Sequence, residues 1–150
     1  MLEDYIADQE EKMTINKSIG VIYNLPAPCL NAEYSLELWY IELYNKQPKD
    51  ITILDVIRML QQHLLVELAI KKAINYLQED PLAGSLFDGH LMETLLTMDS
   101  NKLKDSRKEI KKLVSEVSLK LNTLDWLCEE DAENFSNLLM RFQENVSEIK

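Results

Sequence analysis

Three glycines and four prolines among 150 residues leave few places for the tight reversals that a β-sheet needs, so helices are expected throughout. No apolar run approaches the roughly 20 residues that cross a bilayer, which argues against a membrane segment or a membrane partner. Histidine and cysteine are equally scarce. His63, His90, Cys29 and Cys128 form no His-x-x-x-His or Cys-x-x-Cys spacing, so neither a zinc site nor any other cofactor is expected. The scattered glycines build no phosphate-cradling loop and no G-x-S-x-G elbow. The opening "MLEDYIADQEEK" has acids where a secretory signal has lysines followed by an apolar stretch, so a cytoplasmic protein is expected, with both cysteines reduced and buried.

What remains for chemistry is slight. "DGH" at positions 88–90 places a carboxylate beside an imidazole, yet neighbours this close along a helix start do not face each other. Asp88 is instead expected to cap a helix beginning near Gly89, with His90 facing solvent. Glu129, Glu130 and Asp131 point in different directions on a helix and read as a solvated run. No enzymatic activity is expected.

What is present is helical periodicity. Phe135, Leu138, Leu139, Phe142, Val146 and Ile149 draw one apolar stripe down a final helix whose other face is acidic. Ile110, Leu113, Val114, Val117 and Leu121 repeat that spacing, with Asp99 or Ser100 placed to cap the start. Thr52 and Asp55 have the spacing of a capping box before Ile53, Ile57, Leu60 and Leu64. The following "LLVELAIKKAINYL" is apolar on most sides, as suits a central helix, and "QEDPLAGSLFDGHL" (78–91) reads as the corner after it. Residues 31–46 form a further helix with Leu36, Trp39, Tyr40 and Leu43 on one side, while "SIGVIYNLPAPCLN" is either an extended arm or a short helix with a rigid connection. The expectation is an all-α single domain, 1–150, a compact bundle of about six to seven helices, with 1–30 as a less regular arm.

Charge is distributed unevenly. The net charge of −10 repels phosphate backbones and disfavours direct nucleic-acid binding, so a basic protein partner is favoured. Residues 101–122 carry seven bases against three acids and 123–149 one base against seven acids, so these segments can pair as oppositely charged antiparallel helices. Residues 1–100 carry 16 acids against seven bases, an excess with no such internal counterpart.

Thr52, Ile53, Asp55, Gln62, the apolar run 64–77, Asp80-Pro81-Leu82-Ala83 and Gly89 together resemble a helical family of immunity proteins from bacterial contact-dependent growth inhibition (CDI) systems. The likeness spans about 18–98. The corner "GSLFDG" is shorter and less acidic than the family's pattern, and Gln61 and His63 stand where smaller residues are usual. The resemblance implies a stoichiometric inhibitor that blocks a cognate toxin domain, many such toxins being nucleases with basic substrate grooves. It carries over no catalytic residue. An acidic helical adaptor or chaperone for another basic client is the alternative, and an unrecognised enzyme site at Asp88 and His90 is a third reading. For partner binding the acids without a local base, and aromatics near them, are the candidates: Glu33, Glu37, Glu42, Trp39, Tyr40 and Tyr44, with Asp55, Glu79, Asp80 and Asp88 at helix ends.

Overall fold

The structure, a computed structural model, describes residues 17–29, 31–126 and 128–148. Among these residues there are eight α-helices, short 3-10 turns and no strand, so the all-α expectation holds. Two of the eight are single turns, leaving six longer helices. None is long and apolar enough to cross a membrane. The acids of 3–11 and Ile149 lie outside the described residues. The chain divides into two compact units, 1–51 and 52–150.

In the first unit, α1 (Ile19–Ile22) is capped by Ser18, whose hydroxyl accepts from the Val21 amide. A turn with Asn24 at φ 51° leads into the proline-bearing connection, which settles "SIGVIYNLPAPCLN" as a short helix plus connector. α2 (Ser35–Asn45) packs on α1, and the Ile19 amide donates to the carbonyl of Lys46 at 2.7 Å. Gly20 permits the close approach, since a Cβ there would fall 2.3 Å from the Tyr44 ring. α2 begins four residues later than position 31. Trp39 and Leu43 are buried, but Leu36, in the first turn, is 44% exposed.

The second unit opens with α3 (Ile53–Gln61) behind the capping box: the Thr52 hydroxyl accepts from the Asp55 amide at 3.1 Å and the Asp55 carboxylate from the Thr52 amide at 3.0 Å. These reciprocal bonds satisfy two otherwise orphaned donors. α4 (Val66–Glu79) starts after Leu65, which takes φ 48°, so the apolar run begins outside the helix. Its buried side is Ala69, Ile70, Ala73, Ile74 and Leu77, and it packs against α3, α5 (His90–Leu96), α6 (Ser100–Leu103) and α7 (Arg107–Leu119). That central position was expected. Lys71, Asn75 and Gln78 remain exposed, however, because hydrophobic neighbours cover only one side.

Asp99 does cap a helix, its carboxylate accepting from the Asn101 amide, but that helix is α6, one turn long. A 3-10 turn at Lys104–Ser106 separates it from α7, whose Ile110, Leu113, Val114 and Val117 are buried. α8 (Glu129–Glu148) presents Phe135 and Leu139 to the core. α7 and α8 pack together, so the base-rich and acid-rich segments meet. Gln143 Nε2 donates to Ser118 Oγ at 3.3 Å across that contact. Cys29 and Cys128 are free thiols as expected, but both are exposed rather than buried, since each lies in a connection outside the helical core.

Candidate functional site

Two surfaces combine carboxylates with aromatic rings. The first is on α2. Glu33, Glu37 and Glu42 are all exposed, and the Glu37 carboxylate accepts from the Glu33 amide at 3.3 Å, tying the chain to the first helical turn. Tyr40 and Tyr44 are half-buried with ring centroids 6.3 Å apart, and the Tyr40 hydroxyl donates to the carbonyl of Pro26. Burial pushes the Tyr40 phenol above its ordinary pKa of 10.0, with Tyr44 adding to the effect. Trp39 is only 5% exposed, so it is a core residue and cannot serve as a surface anchor. Sequence reasoning passed over Tyr34 and Leu38, which are 72% and 49% exposed. With Glu42 they follow at four-residue steps, so one line carries two apolar groups and then a carboxylate.

The second surface is a cleft of about 540 Å³ where the entry to α5 meets α8. Its charged lining is Asp88, Glu93 and Asp131, opposed by Arg141 alone, and Phe87 and Phe135 supply rings. Gly89 shapes it. It takes φ 85° as the N-cap of α5, and a Cβ there would fall 2.7 Å from Cδ2 of Phe135. That left-handed backbone fills the capping position, so Asp88 does not cap the helix as expected and lines the cleft instead.

The corner before the cleft is knitted by its own backbone. Asp80, extended ahead of Pro81, accepts from the Leu82 amide, and Gly89 donates to the carbonyl of Leu82 at 2.9 Å. His90 is 8% exposed, contrary to the solvent-facing expectation. Its Nδ1 accepts from the Leu86 amide at 3.4 Å and its ring lies 4.6 Å from that of Phe87. The loop folds over the imidazole, which thereby becomes part of the corner's packing. Glu79 and Asp80 are exposed but do not line the cleft, and Asp55 is buried inside its capping box. Among the described residues no three of histidine, cysteine, aspartate and glutamate gather closely enough to hold a metal ion.

A family model described as CDI immunity proteins matches residues 21–113. The chain belongs to the CDI immunity proteins. Its role is therefore to neutralise a CDI toxin, and that cognate toxin is its partner. For this CDI immunity protein the matched span contains α2 and the α5 wall of the cleft, while the α8 wall lies beyond it. No curated protein and no solved structure matches the chain.

Proposed function

We propose that residues 1–150 act as one immunity domain that binds a nuclease toxin in the cytoplasm and blocks it stoichiometrically, without catalysing any reaction. The observation that carries the toxin partner is the family match over 21–113. The nuclease reading is supported by the net charge of −10 together with the exposed carboxylates of α2. A nuclease must present a basic groove to bind phosphates, and an acidic inhibitor imitates that charge. Long-range attraction then accelerates encounter, while exposed aromatic and apolar groups such as Tyr34 and Leu38 lengthen residence.

The test is to co-express the chain with the toxin domain encoded immediately upstream, then to mix the purified pair with DNA and RNA. Protection of cells and loss of nucleic-acid cleavage at one inhibitor per toxin are expected. A toxin that kills equally in its presence refutes the partner; a toxin that is neutralised but cleaves no nucleic acid refutes the nuclease.

A further inference from the structure

We infer that α2 enters an apolar groove of the toxin edged by lysine or arginine, with Tyr34, Leu38 and Ile41 on the groove floor and Glu37 and Glu42 against its two edges. This rests on the nuclease-inhibitor reading and deepens it by naming the face that docks and the surface that receives it. Trp39 and Leu43 mark the buried side of α2. Positions 34, 38 and 41 follow one helix line, which at 3.6 residues per turn lies on the far side from Leu43, with Glu37 and Glu42 flanking it to either side. Tyr34 is 72% and Leu38 49% exposed, and Ile41 is half-buried, so the helix turns an apolar ridge away from its own core.

Two observations choose the occupant. Among the described residues, half of the large apolar side chains that stand exposed fall between positions 21 and 38: Val21, Tyr23, Tyr34, Leu36 and Leu38. Apolar groups gathered at a surface in this way mark an interaction face. Residues 18–45 also contain no lysine, arginine or histidine, and their charged side chains are Glu33, Glu37 and Glu42. Charge of a single sign excludes the other coverings. Nucleic acid and anionic lipid are repelled, and a second copy docked through the same face would set glutamate against glutamate. A protein surface that is both cationic and apolar is complementary, and the family supplies a protein partner in the cognate toxin. Anchors at i, i+4 and i+7 are the pattern by which a helix seats in a groove. The ridge is also held before binding. The Glu37 carboxylate accepts from the Glu33 amide at its start, Asn45 Nδ2 donates to the Ile41 carbonyl at 2.9 Å near its end, and the Ile19 amide fastens α1 to the carbonyl of Lys46, which lowers the ordering cost of docking.

The experiment measures association and dissociation of the full chain with the upstream-encoded toxin domain, alongside thermal melts. Tyr34→Ala/Leu38→Ala is expected to lower affinity about a hundredfold, chiefly through faster dissociation, with little change in the melt because both side chains are exposed. Glu37→Gln/Glu42→Gln is expected to slow association about tenfold and to flatten its dependence on salt. Leu119→Ala/Met140→Ala, which removes exposed apolar groups elsewhere, is expected to bind within about twofold of the wild type. Should the Tyr34→Ala/Leu38→Ala chain melt below the wild type, Leu38→Gln alone takes its place, with an expected loss of about tenfold. The inference is overturned if the ridge variant that melts like the wild type binds within about twofold of it, if the Leu119 and Met140 pair costs as much, or if the ridge substitutions break a dimer of this chain and leave toxin binding unchanged. A wild-type chain that fails to protect cells, or a neutralised toxin that cleaves no nucleic acid, is a different outcome and removes the underlying reading instead.

Discussion

The α2 surface and the α5–α8 cleft use the same residue types in opposite shapes. On α2 the carboxylates stand on a convex helix, where water and salt screen them and attraction acts mainly on encounter. In the cleft Asp88 and Asp131 are half-buried and line a concave space, where charge is screened less than on the open helix. Similar composition therefore predicts different kinetics for the two regions.

The largest separation of the two is expected from Gly89→Ala. A left-handed backbone costs a non-glycine residue about 1–2 kcal/mol, and crowding against Phe135 adds about 1–3 kcal/mol. A loss of roughly 2–5 kcal/mol in denaturant unfolding should accompany the closing of the cleft; a melt equal to wild type shows that Phe135 moves aside freely. An intermediate effect is expected on α2. Glu33→Lys/Glu37→Lys should slow association with the toxin about tenfold and flatten its dependence on salt while dissociation stays nearly constant. Stopped-flow rates at two ionic strengths check this, and unchanged rates would place the contact away from α2.

The smallest effect is on pH dependence within α2. Tyr40 has a folded pKa above its unfolded value, so folding favours its protonated form. The stability it contributes is present below about pH 10 and is lost as pH rises through the raised folded value. Tyr40→Phe should remove that part of the alkaline slope in unfolding curves, without a change near neutrality beyond the lost bond to Pro26.

The contrast also explains what could be read in advance. The Thr52–Asp55 box and the Phe135–Leu139 stripe are local: their residues lie within one or two turns, so spacing alone identifies them. The acids of α2 were visible for the same reason. Its buried Trp39 was not separable from an exposed one, because a tryptophan serves both core and interface. Asp88 was expected to cap, and the outcome turned on Gly89 adopting φ 85° where Phe135 from another helix leaves no room for a Cβ. The 3-10 interruption before α7 likewise has no glycine or proline to announce it. The cleft itself joins positions 87–97 to 131–141, and only tertiary packing makes them neighbours.

Cys29 and Cys128 lie one in each compact unit, both open to solvent. Each thiol is thus a ready attachment point for a fluorophore or spin label, and a doubly labelled molecule would report the spacing of the units before and after the toxin is added. The same accessibility means that, when reductant is omitted, molecules can become crosslinked through their surfaces, so any dimer observed during purification must survive a thiol reagent before it is taken as assembly.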